Sequence, residues 1–255
     1  MNSPSFPLSV IVITRNEERN IVECLKNVSW ANDIIIVDSQ STDQTVALAR
    51  EYARTILVTE WKGYGAAKNL ALEKAINSWV LWLDADERVT DGLAAEIRQI
   101  ISSETGAVQG YEVGRRAFFL GKWIRHCGWY PGYVVRLFTN KNASFSTASV
   151  HEHIEIEGLR GRLRHDLLHY TDENIFHYFS KFNRYTSLAA EDLFHGGKIS
   201  RMYDLSVRPA FMFVKMYIFR LGFLDGMHGF ILCLLSSAYV FTKYAKLKER
   251  SNSYV

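Results

Sequence analysis

Cysteine is scarce: Cys24, Cys127 and Cys233 are the only three in 255 residues, and none forms a C-x-x-C pair. That excludes a zinc ribbon and a disulfide-stapled scaffold, and it favours a reducing compartment. Proline is limited to 4 residues and no G-X-Y or heptad repeat runs through the chain, so collagen-like and coiled-coil assemblies are excluded. Charge of one sign is not in excess either. Lys and Arg number 30 against 27 Asp and Glu, and 48% of residues are hydrophobic, which excludes disorder. The phosphate-cradling patterns G-x-x-x-x-G-K-[ST] and G-x-G-x-x-G are both missing. The opening MNSPSFPLSVIVIT has no basic n-region and no small-residue cleavage site, so its short apolar run reads as a strand. Gly229–Thr242 is 14 residues without a charge. As a helix that is ~21 Å, short of a ~30 Å hydrocarbon core, which argues against a single membrane span.

What is present is a regular change of period. Leu8–Thr14 (LSVIVIT) is a continuous apolar, β-branched run, as a strand buried on both faces requires. Glu17–Val28 spaces Ile21, Leu25 and Val28 for a helix. Asp33–Ser39 is a second strand, and Ser41, Thr42 and Asp43 offer caps to a helix through Tyr52. Strand Thr55–Thr59, helix Tyr64–Ile76, strand Trp79–Asp84 and helix Asp91–Ile101 follow. Such alternation with short connections predicts an α/β fold with a doubly wound sheet. Ligands of these sheets sit beyond the carboxyl ends of the strands. Three polar clusters fall there: Thr14-Arg15-Asn16-Glu17, Asp38 through Asp43, and Asp84-Ala85-Asp86-Glu87.

Beyond residue 105 the pattern changes. Gly110–Val113, Val134–Thr139 and Ile154–Glu157 read as short strands of a mixed β region, and Glu173–His195 as a long amphipathic helix. We therefore expect a nucleotide-binding half over 1–105, an acceptor-binding and catalytic half over 106–195, and a basic helical tail over 196–255. That tail carries nine Lys and Arg against Asp204, Asp225 and Glu249, leaving the first 195 residues at −3 in a chain of net +3. Cations interleaved with Phe, Tyr and Leu describe amphipathic helices lying in a membrane interface, with contact expected over residues 200–250. The plain alternative is a pair of helices packed on the core. A nucleic-acid groove fits poorly, because bulky aliphatics separate the basic residues.

Asp84 and Asp86 follow an apolar strand directly, and as i and i+2 residues they are expected to point the same way. Two adjacent carboxylates are costly unless a cation sits beside them. Hard divalent ions, Mg²⁺ or Mn²⁺, take oxygen ligands and bridge to phosphate. Acids dressing a helix N-terminus are the bland reading. Asp38 could accept from a nucleobase or ribose, while Asp43 reads as a cap. Arg15 and Lys68 are cations that could meet a diphosphate.

TRNE (14–17), VDSQSTDQT, GYGAAKNLAL and WVLWLDADE, in this order over residues 8–87, resemble the successive signatures of family 2 glycosyltransferases with the GT-A fold. GWYPGYVVRLF (128–138), Val150-His151-Glu152, Leu168-His169-Tyr170 and the tail FRLGFLDGMHGFILCLLSSAYVFTKYAKL resemble the subgroup of lipopolysaccharide inner-core β-1,4-glucosyltransferases and their relatives. The resemblance implies a Rossmann-like mixed sheet with a C-terminal amphipathic helical extension. It implies a UDP-sugar donor, with base and ribose against Thr14, Asn16, Glu17 and Asp38, the diphosphate near Lys68, and Asp84 touching ribose or metal-bound water. Asp86 would be the principal metal ligand, with His169 completing the shell of Mg²⁺ or Mn²⁺. Glu152, next to His151, would be the base of an inverting displacement. Trp129, Tyr130, Arg136 and His151 would line the sugar or acceptor pocket.

The acceptor implied is a lipid-linked saccharide, met by a peripheral enzyme at the cytoplasmic face of the inner membrane. No Q-x-x-R-W motif occurs, which disfavours a processive synthase. Two alternatives stand beside this reading: sugar transfer to a polyprenyl phosphate, and a non-catalytic membrane-associated nucleotide-binding protein. Whether the chain forms a homo-oligomer is left open.

Overall fold

The computed structural model describes residues 6–103, 108–146 and 153–252. The chain forms two compact units that interleave in sequence. The first comprises Met1–Arg115 and Tyr133–His169, the second Arg116–Gly132 and Tyr170–Val255.

The elements in chain order are β1 (Phe6–Thr14), α1 (Ile21–Lys26), β2 (Ala31–Asp38), α2 (Thr45–Ala49), β3 (Thr55–Val58), α3 (Tyr64–Leu72), β4 (Trp79–Asp84), β5 (Glu87–Val89) and α4 (Asp91–Ser102). Next come β6 (Val108–Val113), β7 (Arg115–Phe119), β8 (Lys122–Trp123), β9 (Val134–Thr139), β10 (Ser144–Phe145), β11 (Ile154–Glu155), β12 (Leu159–Arg162) and β13 (Leu167–Asp172). Helices α5 (Ile175–His195), α6 (Met202–Val214) and α7 (Gly226–Asn252) close the chain, with a π-helical turn Lys215–Phe219 and a 3₁₀ turn Gly222–Asp225 before α7.

In the first unit seven strands form one mixed sheet in the order β12-β6-β9-β4-β1-β2-β3. β1 runs parallel to both β2 and β4, with Thr14 beside Asp38 and Ile13 beside Asp84. β9 runs antiparallel to β4 and β6. The unbroken apolar run of β1 is explained by its two neighbours and its two covered faces. Leu8, Val10 and Val12 pack with Ile21 and Leu25 of α1 and Leu93 and Ile97 of α4. Ile11, one residue out of phase, packs with Ala67 and Ala71 of α3 and with Phe138 and Phe145. Leu8, Val10, Ile11 and Val12 are each fully buried, worth roughly 1.5–3 kcal/mol of transfer free energy apiece. α1 starts four residues later than the spacing suggests. Asn16 adopts a left-handed φ of 56°, and the backbone turns through Glu17–Asn20 before the helix begins.

The second unit is largely helical. Its hairpin β7–β8 pairs Phe118 with Trp123 and Phe119 with Lys122. Phe119, Ile124, Cys127, Met216, Leu232 and Cys233 form one core, and Ala190, Val240, Tyr244 and Leu247 another. Gly229 sits where a Cβ would lie 2.0 Å from the Gly222 carbonyl oxygen, so only glycine lets α7 leave the preceding turn at this angle. The 14-residue uncharged run reads as too short for a span, but α7 continues on both sides of it. The helical segment Gly222–Ser251 is long and apolar enough to cross a membrane by length and composition, because Phe223, Leu224, Met227, Tyr244 and Leu247 extend the apolar pattern past the charge-free stretch. Along one side it packs on its own unit through Leu232, Cys233, Val240, Tyr244 and Leu247. All three cysteines are free and buried, and Cys127 Sγ lies 3.6 Å from Cys233 Sγ although 106 residues separate them.

Candidate active site

Three strand ends of the first unit deliver polar groups to the carboxyl edge of the sheet. At the end of β1 the Thr14 hydroxyl donates to Asp38 Oδ2 at 2.8 Å. Ser41 donates its backbone N–H to Asp38 Oδ1 at 2.8 Å and its hydroxyl to Oδ2. Ser41 Oγ in turn accepts from the Asn16 N–H, and Asn16 Oδ1 accepts from the Thr42 N–H, each at 2.8 Å. Asp38 is fully buried in this network. It therefore ties the first two loops together and shapes the rim, with its carboxylate turned inward. Arg15 and Asn16 are exposed and Glu17 half-buried on the same rim. Asp43, expected as a cap, lies one residue before the N-cap Gln44, and its Oδ1 accepts from the Thr45 N–H and hydroxyl at the start of α2.

The third cluster departs from the sequence expectation. Strand geometry ends at Asp84, and the chain turns through Ala85 and Asp86 before β5. The alternation that would align i and i+2 carboxylates is lost there, so the two acids take different partners. Asp84 Oδ2 accepts from Arg136 Nη2 at 2.6 Å, whereas Asp86 Oδ2 lies 3.4 Å from His169 Nε2.

Arg136, on β9, is 1% exposed and does not open onto a pocket. Its Nη2 bridges Asp84 and the buried carboxylate of Glu87, at 2.6 Å to each. Its remaining Nε and Nη1 have no hydrogen-bond partner among the described residues, and the guanidinium lies 3.9 Å from the Trp82 ring centroid. Lys68 of α3 is also buried, with Nζ 3.5 Å from the same ring centroid. Trp82 and Asp84 are i and i+2 on β4, so one indole holds two cations close to one carboxylate. Partial burial is the largest influence on Asp84 and favours its neutral form. Arg136, Lys68 and His169 together outweigh it and hold the carboxyl at about 2. Glu87 also accepts from the Asp84 N–H at 3.1 Å, which fixes the turn from inside.

His169 reaches Asp86 through register. β13 pairs antiparallel with β5, placing His169 opposite Glu87. Burial opposes a proton on the imidazole, but the hydrogen bond and charge of Asp86, with Glu87 behind it, raise its pKa above the usual histidine value.

No three His, Cys, Asp or Glu side chains converge as a ready-made cage among the described residues. The donors present, Asp86 and His169 with Asp84 nearby, suit a hard cation that takes one or two protein ligands and fills the rest of its shell from water and phosphate oxygens. Glu87 was named from the sequence only as a member of the third polar cluster, with no role, and Trp82 was given none. Their signal was parity: Glu87 shares its strand face with buried Val89 in an ERV segment, and Trp82 shares its face with Asp84.

Trp129 and Tyr130 belong to the second unit, where their rings meet Phe119 and Trp123 edge-on, at 6.1 and 5.4 Å. His151 and Glu152 lie outside the described residues.

Residues 9–167 match the sequence profile of Glycosyl transferase family 2. The lipopolysaccharide core biosynthesis glycosyltransferase LpsC of Rhizobium meliloti (strain 1021) is 32% identical, over 97% of this chain and 94% of its own. An uncharacterised glycosyltransferase of Rickettsia typhi is 29% identical over 96% and 87%. Among solved structures, the mannosyltransferase PcManGT from Pyrobaculum calidifontis, in complex with GDP-Man and Mn²⁺, shares the fold with a TM-score of 0.56 at 18% identity, covering 94% of this chain and 86% of that one.

Proposed function

The chain belongs to glycosyl transferase family 2 and is a glycosyltransferase of GT-A fold, and we propose that it transfers one sugar, with inversion, from a UDP-sugar to a hydroxyl of a lipid-linked saccharide of the lipopolysaccharide-core type. The observation that carries this reading is the Asp86–His169 pair, 3.4 Å apart, beside a carboxylate that two buried cations keep charged. The acceptor class rests on the similarity to LpsC along nearly the whole of both chains.

In this reading Thr14, Arg15, Asn16, Glu17 and the loop that Asp38 ties down receive the nucleoside. Asp86 and His169 hold Mg²⁺ or Mn²⁺, which supplies charge neutralisation for a departing diphosphate. Arg136 keeps Asp84 ionised, Glu87 fixes the turn by accepting from the Asp84 N–H, and Lys68 adds positive potential. Glu152 takes the acceptor hydroxyl's proton as the new oxygen–carbon bond forms and the anomeric bond to diphosphate breaks. The second unit carries the enzyme on the cytoplasmic face of the inner membrane through its exposed apolar and cationic helices.

The test is a donor titration. Purified protein with Mn²⁺ or Mg²⁺ is titrated with UDP-, GDP- and dTDP-sugars, following thermal shift and slow donor hydrolysis. We expect a metal-dependent shift of several degrees with one UDP-sugar. Asp86→Ala should remove the shift and lower turnover by about a hundred- to a thousandfold, in the range of losing one main electrostatic stabiliser. Unchanged turnover in Asp86→Ala sinks the metal assignment. Glu152→Gln should abolish transfer to a hydroxyl acceptor; a silent substitution points instead to an acceptor that is already anionic, such as a polyprenyl phosphate.

A further inference from the structure

The second unit holds a cavity of about 460 Å³. Sites for small ligands span about 300–1,000 Å³. Trp129, Met212, Met216 and Val240 supply apolar wall, from the turn after β8, from α6, from the π-helical turn and from α7. Lys215, Arg220 and Lys243 stand in the same lining. Among the described residues none of these three side chains has an ion pair. Lys243 shows the effect most plainly. Burial first, then the nearby charges of Arg208 and Lys198, hold its ammonium below the usual lysine range. It is a cation among cations.

A purely apolar ligand would leave the half-buried Lys243 unmatched beside the exposed Lys215 and Arg220, and a bare anion would leave the apolar wall uncovered. Charge and surface together call for one molecule with an anionic head and a hydrocarbon body. Around Lys215 and Arg220, the end of α6 exposes Phe211 and Val214 and the π-helical turn exposes Ile218 and Phe219, by 40–70% of their surface. Large apolar residues so exposed are the usual mark of a lipid or partner surface.

We propose that this cavity takes an acyl chain of an anionic bilayer phospholipid whose phosphate is held by Lys215, Arg220 and Lys243. The proposal rests on the second unit meeting a membrane, and it adds a discrete lipid site to that contact.

The experiment uses the full chain and vesicles of phosphatidylcholine with or without phosphatidylglycerol, either lipid carrying bromine on its acyl chains. Bromine quenches tryptophan on contact, and the signal of Trp129 is the difference between the wild type and Trp129→Phe. We expect brominated phosphatidylglycerol to quench the Trp129 component and brominated phosphatidylcholine in the same bilayer to leave it. The triple variant Lys215→Gln/Arg220→Gln/Lys243→Gln should lower partitioning onto anionic vesicles by about a hundredfold and lose Trp129 quenching even at saturating lipid. The control Lys198→Gln/Arg201→Gln/Lys248→Gln removes equal charge from the same unit and should weaken partitioning while keeping the quenching once bound. Val240→Phe, checked by its melting curve, should narrow the cavity and reduce quenching without removing a charge. Unquenched Trp129 in vesicle-bound protein overturns the lipid site, as does equal quenching by both lipids or equal loss in the two triple variants. Donor turnover measured without lipid on the two triple variants reads the active site separately, so failure of the lipid site is distinct from failure of the glycosyltransferase reading. Absence of any vesicle binding would remove the membrane contact itself.

Discussion

The two units treat their apolar residues differently. Among the described residues, large hydrophobic side chains are exposed at four positions in the first unit, Val58, Ile76, Tyr133 and Leu159, and at nineteen in the second. Both have fully buried cores, so the contrast is one of outer surface. The first unit is closed toward water, and its buried cations Arg136 and Lys68 meet carboxylates or aromatic faces. The second leaves Phe176, Phe219, Met227 and Leu234 more than half in the open. Large exposed apolar surface of that kind is the usual mark of an interaction face; in the proposed reading it is the membrane-facing side of the molecule.

The sharpest way to break the contrast is to remove its buried charge network. Arg136→Met leaves the buried Glu87 with only the longer Arg115 contact, at 4.0 Å, and should cost about 3–5 kcal/mol in urea unfolding. Adding Glu87→Gln should recover part of that; no recovery would mean that Arg136 matters through packing alone. Next, two leucines of one helix carry the comparison into the second unit. Leu232→Ala should cost about 2–5 kcal/mol, as burial at 1% exposure demands. Leu234→Ala, two residues on and 51% exposed, should stay within about 0.5 kcal/mol. Equal costs would mean that the outer face is covered by protein. Phe211→Asp/Phe219→Asp should then leave the melting temperature nearly unchanged and lower vesicle partitioning at least about tenfold, given roughly 1.5–3 kcal/mol per buried aromatic side chain.

The smallest effect lies in the first unit. Glu96 accepts from the Arg164 N–H, the His165 N–H and His165 Nδ1, at 2.9–3.0 Å. Burial is the largest single influence and raises its pKa, but these donors together lower it below the ordinary glutamate value. A depressed carboxylate stabilises above its unfolded pKa of about 4.3 and loses that contribution as pH falls through the folded value. Glu96→Gln should therefore cost about 1 kcal/mol at pH 7 and much less at pH 3; a cost independent of pH would sink the charge argument.

Legibility tracked the range of the forces involved. The bounds of Trp79–Asp84 and Val134–Thr139 coincide with the strands observed, because apolar runs between turn residues mark buried strands whatever their neighbours. The start of α1 was misread, since the left-handed Asn16 and its bond to Thr42 serve a loop partner 26 residues away. Asp86 and His169 were each singled out from sequence, yet their meeting depends on the β5–β13 register across 83 residues. Arg136 was expected in a pocket wall. Its burial follows from facing Glu87, and pairing between distant strands leaves no periodic trace.

The sequence by itself determined the alternation of elements, the polar strand ends, the family and the amphipathic character of the last 60 residues, because these depend on local spacing and composition. Tertiary structure alone decided that Asp84 and Asp86 diverge, that Glu87 and Trp82 join the site, and that the second unit is assembled from two separate stretches of chain. A buried charge can be read only with its partner in place, and that partner is chosen by strand register and packing.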